Sequence, residues 1–133
     1  MGSDALLHVD VIEPPNELAA AEVERLVAVA LASAGIEDGH VAVEFVGSER
    51  IRELNRDHRG RDAPTDVLSF PIDEDGAVFG PPALRELGDV IVAPEHTADL
   101  REAVVHGALH LAGMDHEADD GEMLALQREI LSW

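Results

Sequence analysis

His106-Gly107-Ala108-Leu109-His110-Leu111-Ala112-Gly113-Met114-Asp115-His116 carries three of the chain's seven histidines. On an α-helix, His106 and His110 stand at i and i+4, so both imidazoles project from one face about one turn apart. Gly113 follows where a helix can end in a left-handed residue, a conformation that glycine adopts without steric cost. Such a turn would swing His116 back toward the first two. Three neutral imidazole nitrogens converging at about 2.0–2.1 Å would hold one Zn²⁺ and leave a fourth position for water, which is the arrangement of a catalytic zinc.

The spacing H-x-x-x-H-x-x-G-x-x-H is that of metzincin peptidases, with one exception. Those enzymes place Glu directly after the first His as general base, and here that position is Gly107. The ligand set is kept and the peptidase's base is missing. The motif H-G-x-L-H-L-x-G-x-D-H resembles the signature of the YbeY family of bacterial endoribonucleases, which act in ribosomal RNA maturation. Two further blocks agree in the family's order: Leu54-Asn55, Arg59 and Pro64 to Pro71, then Leu87-Gly88-Asp89-Val90-Ile91-Val92. Met114 stands where the family usually has an aromatic residue, implying a packing change, and the connection from Val92 to His106 is shorter than usual.

The resemblance implies a zincin-like α/β (α+β) fold and a single-strand-specific endoribonuclease. Such an enzyme would act in small-subunit 16S rRNA 3′ end maturation and ribosome quality control. The implied partners are single-stranded RNA, rRNA and the ribosomal small subunit or its proteins, with no DNA. One Zn²⁺ per chain would be held by His106, His110 and His116, and Arg59 would act beside it.

With 133 residues, the chain is expected to form a single domain over 1–133 with one core of ordinary size. Apolar residues make up 46%, which excludes a disordered chain, and aromatics only 3%, so Val, Leu, Ile and Ala must build the core. No apolar run is long enough to span a membrane and no signal peptide is evident, so a cytoplasmic location is expected. With no cysteine, a metal must be held by His and carboxylate.

The net charge of −19 opposes a nucleic-acid enzyme, because phosphate binding leaves a basic footprint. The distribution softens that objection. All basic residues are Arg, and Arg50, Arg52, Arg56, Arg59 and Arg61 fall together against only Glu53 and Asp57. Arg52–Arg56 and Glu53–Asp57 are like-charged i,i+4 pairs, which stabilise nothing within a helix and point to an outside anion. Arg52 and Arg56 are therefore candidate substrate contacts.

Along the chain, Leu6 to Ile12 reads as a strand stopped by Pro14-Pro15. Asn16 is placed to cap a helix over Glu17 to Ser33, closed by Gly35. Val41 to Val46 alternates as a strand, and a helix runs from Ser48 to about Asp57 with Ile51 and Leu54 inward. His58 to Ala63 reads as a polar loop carrying Arg59. Thr65 to Phe70 is a strand, Asp73 to Gly76 an acidic turn, and Leu87 to Ala93 a strand whose Val90-Ile91-Val92 run predicts burial on both faces. Pro94 suits the first turn of a helix to about Ala112. Asp119 or Asp120 would cap a last helix with Met123, Leu124, Leu126, Ile130 and Leu131 inward. Strands alternating with helices predict one mixed, mostly parallel sheet of about four strands packed with helices.

A His₃ zinc lowers the pKa of its water toward ~7, and the remaining need for RNA cleavage is a cation against phosphate charge. Arg59 is the candidate. Asp115, Asp66, Glu102 and Asp99 are candidate partners for the imidazole N–H groups, with one or two of them expected to touch a ligand. His58 and His96 read as exposed, and His8 and His40 lack visible partners. Two rival readings remain open. One is another zinc hydrolase, even a peptidase recruiting Glu102 as base. The other is a non-catalytic, ribosome-associated protein with structural zinc.

Overall fold

The computed structural model describes residues 7–71, 86–114 and 121–132. Four strands form one open sheet: β1 (Leu7–Ile12), β2 (Gly39–Phe45), β3 (Val67–Pro71) and β4 (Glu86–Val92). Their order is β1-β2-β4-β3, with β1, β2 and β4 parallel and β3 antiparallel at one edge. The expected mixed, mostly parallel sheet is what forms. Parallel neighbours need crossovers, and helices supply them. These are α1 (Ala20–Ser33) between β1 and β2, and α2 (Ser48–Arg59) after β2; α3 (Leu100–Leu111) and α4 (Glu122–Leu131) follow β4.

Side-chain alternation divides the interior in two. Val41 and Val43 of β2, with Val90 and Val92 of β4, face α1, α3 and α4 in the main core. Ile91 and Ala93 point the other way, onto Ile51 of α2 and Leu68 of β3. The Val90-Ile91-Val92 run is therefore buried on both faces, as its lack of alternation predicts.

Two helices begin later than the sequence suggests. Pro14-Pro15 is followed by a turn, Leu18 N–H to Pro15 C=O at 3.2 Å, which drives Leu18 into the core before α1 starts. Asn16 does not cap it; Ala19 occupies the N-cap with no side-chain bond. Likewise Pro94 opens a 3₁₀ turn, Pro94–His96, instead of α3. The carboxylate of Asp99 then caps α3 by accepting from the Glu102 N–H at 3.1 Å. That bond engages Asp99 at a helix start. The acidic turn Asp73 to Gly76 and the capping candidates Asp119 and Asp120 lie outside the described residues.

His40, without visible partners in the sequence, bridges three strands on the sheet face away from α1. Its Nδ1 lies 2.9 Å from Glu86 and its Nε2 2.7 Å from Asp10. The hydrogen bonds to Glu86 and Asp10 hold its pKa above the ordinary imidazole value. Because the folded value is raised, the stabilisation is fully present below the unfolded pKa of about 6.5 and is lost as pH rises through the folded one. The stability gap between the natural protein and His40→Gln should accordingly be largest near pH 6 and shrink toward pH 9 in denaturant titrations. A gap that widens with pH would contradict the bridge.

Candidate active site

α3 is buried almost all round: Ala103, Val104, Val105, Gly107, Ala108, Leu109 and Leu111 are all buried. Beyond Leu100 and Arg101 in its first turn, it reaches the surface on its cleft side, with Glu102, His106 and His110. The two imidazoles lie one turn apart with ring centroids 4.7 Å from each other and planes at 74°. Gly113 ends the helix in the left-handed region at φ 96°, as its position predicts, with its N–H on His110 C=O and the Met114 N–H on Leu109 C=O.

Gly107 has a separate reason to be glycine. A Cβ there would stand 2.5 Å from Val90 Cγ1 and 3.3 Å from both Ser69 Oγ and Val67 Cγ2. The helix lies directly on β3 and β4 at this point, and the Ser69 hydroxyl donates to Gly107 C=O at 2.9 Å. The position faces the sheet, so a metzincin-type Glu would have to displace β4. Gly107→Ala should cost about 1–3 kcal/mol of stability in urea unfolding, the range for overpacking. A neutral result would mean that α3 sits further from the sheet.

His106 Nδ1 lies 2.8 Å from Oε1 of Gln127, a residue of α4 that is only 6% exposed. The sequence reading of carboxylate partners missed this contact. The available signal was a polar residue in the middle of the stripe Met123, Gln127, Ile130. Asp66, one of the proposed partners, accepts from the Val67 N–H at 2.8 Å and the Thr65 hydroxyl at 3.3 Å. It also lines the cleft.

Arg59 arrives from the other side of the sheet. It belongs to the last turn of α2 and not to a loop, because α2 runs on to Arg59 and Gly60 closes it at φ 74°. The buried Asn55 amide donates to Ala63 C=O at 2.8 Å, and Arg61 N–H reaches Asn55 C=O, fastening the chain that returns to β3. Arg59, Thr65, Asp66, Val67, Ser69, His106, His110, Met114, Leu124 and Gln127 all line one cleft of about 750 Å³.

The other arginines are arranged differently from the sequence expectation. Arg52 makes a two-pronged pair with Asp62 at 2.8 and 3.3 Å, Arg50 pairs with Glu53 and Arg56 with Asp57. The like-charged i,i+4 repulsion is thus relieved by Asp62 beyond the helix and by Glu53 and Asp57 within it, and Arg52 and Arg56 are not among the cleft residues. Among the described residues, Arg59 and Arg61 make no ion pair.

His116 and Asp115 lie outside the described residues, and within those residues no three His, Asp or Glu converge on a metal position. The donors that are described nonetheless fit Zn²⁺: two imidazoles on one face of a packed helix, one with its Nδ1 within hydrogen-bond distance of Gln127.

An open α/β sheet with a histidine pair and an arginine meeting at its antiparallel edge defines the class of site. Residues 10–133 match the family described as Endoribonuclease YbeY. The proteins of that name from Geobacillus thermodenitrificans and Geobacillus kaustophilus are each 40% identical to this chain, covering 95% of it and 95% of the relative. The Bacillus velezensis protein of that name is 35% identical, covering 94% of each. The fold is similar to the solution structure of TM1509 from Thermotoga maritima, with a TM-score of 0.56, 29% identity, and coverage of 92% of this chain and 86% of that one. The chain belongs to the endoribonuclease YbeY family.

Proposed function

We propose that this protein is a zinc-dependent endoribonuclease that cleaves single-stranded RNA. His106, His110 and His116 hold the ion, and Arg59 offsets the charge that builds on the phosphate. The observation that carries the reading is the meeting of Arg59 with the His106–His110 pair at one cleft, although they stand on helices packed on opposite faces of the sheet. Membership of the family supports the ribonuclease chemistry.

The ion would supply hydroxide at neutral pH and polarise a phosphoryl oxygen. The chain's own residues bind and orient. The guanidinium of Arg59 presents paired donors to a phosphate, and Val67, Met114 and Leu124 form an apolar wall for an unstacked base. A single strand suits this cleft, whereas a duplex does not suit the body. At a net charge of −19, most of the surface repels phosphate, so only a strand that threads past Arg59 and Arg61 gains. Arg52 and Arg56, held by Asp62 and Asp57, would make weaker outer contacts.

The finer role that we propose is maturation of the 16S rRNA 3′ end and ribosome quality control in the cytoplasm, with small-subunit proteins as partners. Among the described residues, no helix is long and apolar enough to cross a membrane. Basic ribosomal proteins complement the acidic remainder of the surface.

Glu102 keeps one rival in view, because it lines the cleft one turn before His106 and could serve as a peptidase base. Metal-quantified protein assayed side by side on single-stranded RNA and casein separates the readings. RNA should be cut and casein left intact, with RNA binding weakening with salt by a slope of about two to three phosphates. Casein cleavage without RNA cleavage would overturn the proposal.

A further inference from the structure

We propose that Gln127 is a positioning residue that fixes which nitrogen of His106 faces the cleft. The inference rests on the metal reading above. α4 packs on α3 and α1, with Met123 and Ile130 fully buried in the main core, and Gln127 stands between them in the same stripe. A methionine or leucine at this place would pack without desolvating an amide. Burying the amide is unfavourable unless it is hydrogen-bonded, and the bond it makes is to His106 Nδ1 at 2.8 Å.

The amide oxygen has only lone pairs, so the ring nitrogen facing it must carry the proton. With the proton on Nδ1, the lone pair lies on Nε2, the nitrogen a metal in the cleft would take. Had the amide nitrogen faced the ring instead, Nδ1 would accept, the proton would sit on Nε2, and that nitrogen could not ligate. The contact also orients the ring. It ties the site to α4, the element that follows the segment carrying His116 in the chain. A neutral acceptor holds the proton without adding charge beside the histidine pair.

The test uses the full chain in three forms: natural, Gln127→Met and Gln127→Glu. Methionine keeps the volume and removes the acceptor; glutamate keeps the acceptor. Zn²⁺ affinity is read by competition with a chromogenic chelator, and the tautomer of His106 by long-range ¹⁵N–¹H spectra of the metal-free protein. The natural protein should show the Nδ1–H form. Gln127→Met should lose the single tautomer and bind Zn²⁺ about 10–100-fold more weakly, while Gln127→Glu stays within a few-fold of the natural protein. A natural protein that binds no Zn²⁺ would defeat the metal reading, and the tautomer would still decide the role of Gln127. Natural protein with Nε2–H, or Gln127→Met with unchanged affinity and tautomer, would overturn the inference itself. Should Gln127→Met fail to fold, the natural spectrum and Gln127→Glu decide between the same outcomes.

Discussion

His110→Ala should lose its bound zinc, all RNA cleavage and the whole of the zinc-dependent increment in stability, while its metal-free form stays folded. The reason is where His110 stands. It is half-buried on the cleft side of a helix whose buried residues lie mostly on its other faces, so removing its ring takes away a cleft wall. Its ring lies edge-on to that of His106 at 4.7 Å, held by an i,i+4 backbone that cannot shift without moving Gly107 off β4. If His106, His110 and His116 hold the ion as proposed, the two imidazoles left would not hold zinc at ordinary concentrations, and affinity lost for the folded state is stability lost. A ligand at a hundredfold excess over its Kd contributes about 2.7 kcal/mol. Unfolding with zinc and with chelator should therefore differ in the natural protein and coincide in the variant. A full equivalent of zinc retained by purified His110→Ala would remove His110 from the ligand set.

The parts of this arrangement that were legible in the sequence are those set by local periodicity. The helical spacing of His106 and His110, the left-handed Gly113 and the double burial of Val90-Ile91-Val92 each follow from neighbours along the chain. What was hidden depends on register or on distant partners. His40 gains Asp10 and Glu86 only because parallel strands align His8 with His40 and His40 with Glu86, which no pattern in either strand announces. Gln127 reads as an interruption of an apolar stripe until α4 lies against α3. Gly60 reads equally well as a loop glycine or a helix cap, and as a cap it puts Arg59 at a helix end and not in a polar loop. The late helix starts have a local cause as well. Pro15 and Pro94 each begin a turn that competes with the helix, and the helix forms only past it.

That correction sharpens what Arg59→Ala should do. Arg59 is exposed and pairs with no acid among the described residues, so its removal should leave the fold and any bound zinc intact. Its neighbours differ: Arg52 is neutralised by Asp62, and Arg56 by Asp57. A guanidinium anchored on the last turn of α2, with Asn55 fastening the following loop, is already placed when phosphate charge develops and need not reorganise. The loss should therefore fall mainly on the rate, by about 10²–10³-fold, which is the usual cost of deleting one such electrostatic contact. Arg59→Lys should recover little, because a point charge does not reproduce the paired donors of the fork. Arg52→Ala should weaken binding slightly and leave the rate nearly untouched. Single-turnover cleavage of a single-stranded RNA by metal-quantified protein separates these effects. Arg59→Ala cutting at the natural rate with its zinc in place would mean that the phosphate is stabilised by some other group in the cleft.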